Sequence, residues 1–202
     1  MVVNDNEKYV RIKAKDVRIK EKRLEIPDKP GFYKWWAPKK AIKLLLDSQY
    51  IEDKYLSELL PELEITEFNG TTYYYIYVGI AVKESIRSRL NWHVNQENTG
   101  SSIKSGFLST LRQSISSLLS GDQSDSNATN DLIDMLMIEY ETFDLPIRSQ
   151  EAKKKIEQIE NAEIKKHLLP INLRGNKNPK IKKFSRELRT ARKRAKAKAL
   201  GK

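Results

Sequence analysis

Arg89 and His93 are the least expected pair of residues in the sequence, because they lie four residues apart in a segment with helical periodicity. Apolar residues recur along this segment and predict a helix at about 82–95 with one buried face. At 3.6 residues per turn, both side chains fall on or beside the apolar stripe. A guanidinium there is costly unless it has a partner or borders a cleft. Taken singly, a snorkelling arginine and a hydrogen-bonded histidine are the simpler explanations.

A second predicted helix, at about 149–168, repeats this anomaly with the opposite charge. Its apolar stripe is interrupted at mid-length by Glu160. A carboxylate in such a stripe must form an ion pair, bind a metal or take up a proton. A buried salt bridge, for example to Arg89, explains Glu160 as well as a functional role does.

Tyrosines dominate the strand predicted at 73–79, where side chains alternate between two faces. On this pattern Tyr73, Tyr75 and Tyr77 share one face, and such clusters are more often packing than catalysis. Convergence of one tyrosine with the arginine, the histidine and the glutamate would nevertheless suit cleavage of a phosphodiester. That reaction needs a proton acceptor, a cation for the five-coordinate phosphorus and a metal ligand.

The elements that must position these residues are indicated by periodicity and turn signals. The sequence VRIK occurs at 10–13 and 17–20 and predicts a short hairpin or edge strand. A strand is predicted at 32–36, and residues 133–143 suit either a strand or a buried helix. Residues 120–130 read as a polar surface loop. Further helices are predicted near 39–47, 53–61 and 104–119.

Composition restricts the class of protein. The chain has 202 residues, of which 39% are hydrophobic and 32% are charged, which suits one domain with an appendage. No apolar run approaches the ~18 residues that would span a bilayer. The first ten residues lack the layout of a signal peptide, and the absence of cysteine excludes disulfides and Cys-based metal sites. We therefore expect a soluble, intracellular, cytoplasmic protein without a membrane partner.

Positive charge is concentrated in the last part of the chain. Residues 174–202 carry 13 Lys or Arg and one acid, a net +12, which leaves the rest at −1 within the total of +11. Such a segment indicates a polyanion as partner, most often nucleic acid, although a solvated tail that only aids solubility is the alternative. The candidate nucleic-acid contacts are Lys180, Lys182, Lys183, Arg186, Arg189, Arg192, Lys193 and Arg194.

Four short motifs, taken in order, resemble the GIY-YIG nuclease family. The sequence PGFY at 30–33 is similar to the GIY element, and YVG at 77–79 is similar to the YIG element. The sequence IRSRLNWH at 86–93 contains the family's arginine and, four residues later, its histidine. ENAEIKKHLLPIN at 160–172 begins with the family's glutamate and ends with its asparagine. Each motif alone is weak, but the ordered set is specific.

The resemblance implies a role for each matching residue. Tyr33 would be the base that activates a water, Tyr77 would support its proton network, and His93 would orient Tyr33 or the water. Arg89 would neutralise charge on the phosphorane. Glu160 would be the single protein ligand of a divalent metal, Mg²⁺ in the first place and Mn²⁺ as the alternative. Structural positions at the site would be Gly31, Gly79 and Asn172.

The resemblance also implies the fold: an α/β (α+β) domain with a small central antiparallel sheet of about three strands, flanked by helices. We accordingly divide the chain into a basic N-terminal strand or hairpin arm at 1–29, a nuclease-like domain at 30–173 and a basic C-terminal helical tail at 174–202. The family's two tyrosines usually lie close in sequence. Here a predicted helical insertion at about 38–66 separates them.

Together these features predict a metal-dependent endonuclease that hydrolyses phosphodiester bonds in DNA, stand-alone and either restriction-like or structure-selective. RNA stays open as a substrate, and so does the choice between monomer and homodimer. The alternative is a non-catalytic nucleic-acid-binding module of the same fold, which a closed, buried salt bridge of Glu160 or Arg89 would favour. A basic RNA-binding protein is a third possibility, but it rests on the tail alone.

Overall fold

The computed structural model describes residues 9–202, so residues 1–8 of the predicted N-terminal arm lie outside the described part. An antiparallel five-stranded sheet forms the centre, in the order β1-β5-β2-β4-β3. The expectation of about three strands was wrong, because β5 inserts between β2 and β1 by pairings that are remote in sequence. The strands are β1 Val10–Lys13, β2 Gly31–Pro38, β3 Ile65–Phe68, β4 Thr71–Ala81 and β5 Met137–Thr142.

Helices cover both faces of this sheet. None of those in residues 9–202 is long and apolar enough to cross a membrane. They are α1 Lys20–Leu24, α2 Lys39–Leu46, α3 Leu56–Leu59, α4 Ile86–Asn95, α5 Gly100–Ser105, α6 Thr110–Leu119, α7 Ser126–Met135, α8 Gln150–Lys166 and α9 Lys182–Ala199. The predicted insertion therefore contains α2 and α3, and α2 buries Ile42, Leu45 and Leu46 in the core.

Three local predictions differ from the structure. The first VRIK forms the edge strand β1, which was one of the two predicted alternatives. The second VRIK does not pair with it as a hairpin, because residues 14–18 form a 3-10 turn that buries Ala14 and Val17. The predicted loop at 120–130 ends early, since Asp125 caps α7 by accepting a hydrogen bond from the Ala128 amide. The helix predicted at 104–119 is broken at Gly106, which lies in the left-handed region with φ = 74°.

Side chains on the two faces of the sheet form two apolar clusters. One face of β2 directs Tyr33 and Trp35 into the larger cluster, which α4, α6 and α9 cover. The other face directs Phe32 and Trp36 into a smaller cluster, which α8 covers with Ala152, Ile156 and Ile164. Strand β2 is therefore buried on both faces and connects the two halves of the core.

The basic C-terminal segment is part of the folded body. Helix α9 buries Phe184, Leu188, Ala191 and Ala195 and packs along α6. Phe184 and Leu188 belong to the same apolar cluster as Tyr33. We expected the folded domain to end near residue 173, but it includes α9. The basic residues of this helix are interrupted by an apolar stripe, and that stripe packs into the core. The division into arm, domain and tail otherwise stays a prediction.

Candidate active site

Tyr33 and His93 meet in the larger cluster and share a hydrogen bond. Tyr33 lies on β2 and is 2% exposed, and its Oη atom is 2.7 Å from Nε2 of His93 on α4. Burial is the main cause that raises the pKa of the Tyr33 phenol well above its usual value, and nearby Tyr77 adds to it. The neutral phenol is thus strongly favoured at rest. Tyr33 loses its proton only when an acceptor such as His93 takes it.

Gly79 makes room for the Tyr33 ring. The two residues pair across β2 and β4, and a Cβ atom on Gly79 would lie 2.4 Å from Oη and 2.6 Å from Cζ of Tyr33. Gly31 is restricted in a similar way, since its Cβ would lie 2.1 Å from the carbonyl oxygen of Glu141. Both glycines are required by close approach rather than by an unusual backbone angle.

Replacing Gly79 with alanine should therefore displace Tyr33 and destabilise the fold. We expect a loss of about 1–3 kcal/mol in the free energy of unfolding, which is typical of overpacking a core. Denaturant titration measures it, and Gly100→Ala is the matched control because nothing lies within 4 Å of a Cβ at that position. Equal stability of the two variants would contradict the crowding at Gly79.

Tyr77 reaches the same site because of a β-bulge in β4. Trp35 pairs with Tyr77 and Trp36 with Tyr75, so Ile76 is the extra residue between two register positions. The bulge reverses the alternation: Tyr75 points into the smaller cluster, while Ile76 and Tyr77 lie with the larger one. The prediction that Tyr73, Tyr75 and Tyr77 share a face was therefore wrong for Tyr77. Its ring packs against His93 at 6.4 Å between centroids.

His93 is held neutral by its surroundings. It is 2% exposed, and burial together with the charges of Arg89 and Arg112 lowers its pKa well below the usual value. Arg112 on α6 is completely buried and donates to the carbonyl oxygens of His93 at 3.1 Å and Val94 at 3.3 Å. Its other hydrogen bonds go to the neutral side chains of Asn98 and Asn130, and no salt bridge neutralises it among residues 9–202. The neutral imidazole can accept the proton of Tyr33.

This depressed pKa should make stability fall in acid. Below the unfolded-state pKa of about 6.5 the unfolded chain binds a proton at residue 93 that the folded protein does not bind. The free energy of unfolding should then decrease by up to about 1.4 kcal/mol per pH unit as the pH falls from about 6.5 toward the folded pKa. Denaturant titrations of the wild type and His93→Phe from pH 7.5 to 5 measure this, and parallel curves for the two proteins would refute it.

Arg89 lies one helical turn before His93 on α4 and is partly exposed. Its Nη2 atom is 2.9 Å from Oε1 of Glu84, and the two side chains are 24% and 32% exposed. The guanidinium lies over the Trp92 ring at 4.7 Å, and its Nε atom is buried without a hydrogen-bond partner in the described residues. The partner of Arg89 is thus Glu84 rather than Glu160, and the pair is open to solvent on one side. An incoming phosphate can replace the carboxylate.

Glu160 lies in the middle of α8, the helix that covers the smaller cluster. It is half-buried, and no hydrogen bond or salt bridge to it occurs within residues 9–202. Burial raises the pKa of its carboxyl group, while Arg174 acts in the opposite direction. The charge of Glu160 in turn contributes to the raised pKa of both Tyr33 and Tyr77. The salt bridge that was the alternative explanation for Glu160 is not formed.

An unpartnered carboxylate of this kind fits a hard divalent cation such as Mg²⁺. No group of three or more His, Asp or Glu side chains in the described part of the chain could hold a metal by itself. An ion here would therefore complete its shell with water and substrate oxygens, which is the usual arrangement for Mg²⁺ at phosphate-processing sites.

Comparison with protein families gives one match. Residues 31–194 match the family model of the GIY-YIG catalytic domain, which is more than half of the chain. The protein belongs to the GIY-YIG nuclease family. No curated protein and no solved structure matches the chain. The match extends into α9, which agrees with the packing of that helix on the GIY-YIG domain.

Asn172 connects the segment after α8 to the YIG strand of this GIY-YIG domain. Its side-chain amide is 6% exposed and forms two hydrogen bonds with the backbone of Val78, accepting from N at 2.7 Å and donating to O at 2.8 Å. Backbone pairing continues where the Ile171 amide donates to the Ile76 carbonyl at 3.1 Å. The amide of Asn172 thus extends the edge of the sheet next to the bulge.

The basic residues of α9 form a mostly exposed face. Arg192 and Lys196 are half-buried, and Arg192 donates to Gln113 and acts on the pKa of Tyr77. Some basic residues are already paired, as Lys180 just before α9 is with Glu62 at 2.8 Å. Three others, Arg186, Lys193 and Arg194, are exposed and available to a ligand.

Two features around the candidate site were not predicted from the sequence. Arg112 stands in a run of small polar and apolar residues, and only its burial behind His93 reveals its role. Lys34 neighbours Tyr33 in sequence but points to the opposite face, where its Nζ lies 3.5 Å from Glu139 and 3.3 Å from Glu163. Tyr75 donates to Glu163 at 2.9 Å. This buried polar network ties α8 to the sheet, and the sequence signal was a lysine inside an aromatic strand.

Proposed function

We propose that the protein is a metal-dependent endonuclease that hydrolyses phosphodiester bonds in DNA. The observation that carries the proposal is the 2.7 Å hydrogen bond between Tyr33 and a neutral, buried His93. A phenol with a raised pKa is a poor base alone, but a neutral imidazole beside it can take its proton. Arg89 and Glu160 have no buried counter-charge. Arg89 supplies the cation that the five-coordinate phosphorus needs, and Glu160 supplies the metal ligand.

In the proposed mechanism, a water beside Tyr33 loses a proton to Oη while the phenol proton passes to Nε2 of His93. The water oxygen forms the new bond to phosphorus, and the bond from phosphorus to the 3′ oxygen breaks. Arg89 leaves Glu84 and binds the phosphate oxygens, where charge develops. The 3′ oxygen takes a proton from solvent, and His93 later returns its extra proton. A pKa held low by burial and by Arg89 and Arg112 favours that return.

Glu160 is the residue that would hold the divalent cation. Nucleases of this family generally depend on one, and the unpartnered carboxylate suits Mg²⁺, with Mn²⁺ as a substitute. The ion would stabilise negative charge on the phosphate and on the leaving oxygen. Tyr77, whose pKa burial raises to about 12, stays protonated and can donate a hydrogen bond within the site.

Nicking of supercoiled plasmid tests the proposal. The purified protein is incubated with DNA and Mg²⁺, Mn²⁺ or EDTA, and conversion to the relaxed form is followed on a gel. We expect relaxation with either metal and none with EDTA. Binding without cutting, on plasmid and then on branched DNA and RNA substrates, would instead support the non-catalytic module.

We also propose that α9 contributes non-specific affinity for the phosphate backbone. Deleting residues 180–202 is not a valid test, because it would remove the core residues Phe184 and Leu188. Substituting three exposed cations, Arg186, Lys193 and Arg194, with glutamine should instead reduce the salt dependence of binding. The slope of log K against log salt should decrease by about 0.9 for each phosphate that the variant no longer neutralises.

Fluorescence anisotropy of labelled duplex DNA over a range of NaCl concentrations measures this slope. The matched control replaces Lys39, Lys40 and Lys43, which are exposed on α2, and removes the same charge. An unchanged slope in the α9 variant, or an equal decrease in the control, would refute a specific contribution of α9.

A further inference from the structure

An exposed aromatic residue lies next to the proposed phosphate contact. Phe107 is 67% exposed, more than any other large apolar side chain in residues 9–202. Its ring packs against Trp92 with centroids 5.8 Å apart, and the guanidinium of Arg89 lies 4.7 Å from the Trp92 ring. The three side chains therefore form a continuous row from the protein surface to Arg89.

The short loop that presents Phe107 is held in place by hydrogen bonds. Gly106 ends α5 in the left-handed conformation, and the Phe107 amide donates to the Ser102 carbonyl at 2.9 Å. The side chain of Gln96 donates to the Phe107 carbonyl at 3.1 Å and accepts from the Ser109 amide at 2.9 Å. The exposure of the ring is thus a property of the folded loop and not of a loose segment.

Two lysines lie on the same side of the protein as Phe107. Lys104 is exposed on α5, and Nζ of Lys196 on α9 lies 3.4 Å from the Lys104 carbonyl oxygen, which brings both lysines to this side of the protein. Arg89, which is paired with Glu84, lies at the far end of the row. Aromatic side chains within a positively charged surface are the combination that binds single-stranded nucleic acid, since phosphates pair with the cations and bases stack on the rings.

We propose that Phe107 and Trp92 form a stacking site for an unpaired base of the substrate, beside the phosphate that Arg89 contacts. This inference rests on the proposed endonuclease function and specifies its substrate class. A base inside an intact duplex is stacked on its neighbours and cannot lie on Phe107 unless it is displaced. The site therefore favours DNA that is single-stranded, bulged or branched at the position of cutting.

Binding measurements with two DNA substrates of equal length test the proposal. One is a fully paired duplex, and the other carries one unpaired nucleotide, replaced by the fluorescent base 2-aminopurine, next to a central phosphate. Affinities are measured in EDTA, so that cutting does not interfere, for the wild type, Phe107→Ala and Phe107→Tyr. Ile65→Ala is the control, because Ile65 is 59% exposed but lies on the edge strand β3.

We expect Phe107→Ala to bind the substrate with the unpaired base about tenfold more weakly, as removal of one aromatic stacking partner does, and the paired duplex as well as the wild type does. Phe107→Tyr and Ile65→Ala should behave like the wild type. Quenching of 2-aminopurine on binding should be lost in Phe107→Ala and kept in Phe107→Tyr.

Two results would overturn the stacking site: wild-type affinity of Phe107→Ala for both substrates, or an equal loss for both. Neither would affect the endonuclease proposal, which the plasmid nicking assay decides separately. Conversely, selective binding through Phe107 without any nicking would retain the stacking site and reject turnover.

Discussion

Substitution of Glu160 with alanine should abolish metal-dependent nicking while leaving DNA binding intact. Glu160 is the proposed ligand of the divalent cation, and it has no hydrogen bond or ion pair within residues 9–202 whose loss would disturb the fold. We expect the nicking rate to decrease by about 10³-fold, the scale of a lost electrostatic contribution to the transition state. Single-turnover nicking at several Mg²⁺ concentrations measures the rate, and anisotropy measures binding.

Glu151→Ala is the control for this variant, because Glu151 is an exposed carboxylate in the first turn of the same helix. It should keep the wild-type rate. Residual nicking by Glu160→Ala that Mg²⁺ still stimulates as in the wild type would reject Glu160 as the metal ligand. Loss of nicking together with loss of folding, seen by circular dichroism, would show that its role is structural.

Substitution of Tyr33 with phenylalanine should decrease nicking by about 10²–10⁴-fold, the usual contribution of a general base. Phenylalanine keeps the ring beside Gly79 and removes only the Oη atom and its hydrogen bond with His93. The free energy of unfolding should change by only about 1 kcal/mol. Plasmid nicking gives the effect on the rate, and denaturant titration gives the effect on stability.

Tyr140→Phe is a close control for Tyr33→Phe. Tyr140 is buried in the same apolar cluster and pairs directly with Tyr33 across β5 and β2. Burial raises its pKa to about 12, so it resembles Tyr33 in environment but is not hydrogen-bonded to His93. We expect wild-type nicking from Tyr140→Phe. Equal rates for both variants, whether high or low, would contradict a specific role for the Tyr33 phenol.

The local elements of the fold were largely predictable from the sequence. The strand at 73–79 became part of β4, and the helices expected at 82–95 and 149–168 became α4 and α8. Ser149 caps α8 by accepting from the Ala152 amide. These features depend on periodicity and caps within one segment, which neighbouring residues determine. The first VRIK was predicted as a hairpin or an edge strand, and it forms the edge strand β1. Its partner β5, more than a hundred residues away, was not predictable from this segment.

The order and spacing of the candidate catalytic residues were determined by the sequence alone, and they were sufficient to find the family. What they could not determine was which side of the sheet each residue occupies. The bulge at Ile76 moves Tyr77 to the face of Tyr33, although strict alternation would leave it with Tyr73 and Tyr75. A bulge arises from the pairing of two strands, so the sequence of β4 alone does not predict it.

Packing decided the remaining features for the same physical reason. The sequence shows thirteen cations after residue 173, and only the tertiary structure shows that α9 buries Phe184 and Leu188 among residues that surround Tyr33. Likewise, only the folded protein shows that Arg112 donates to the carbonyl oxygen of His93 and that Trp92 packs against both His93 and Arg89. The sequence by itself therefore determined the identity and order of the chemical groups. The tertiary structure decided which of them meet, because burial and pKa depend on neighbours that are distant along the chain.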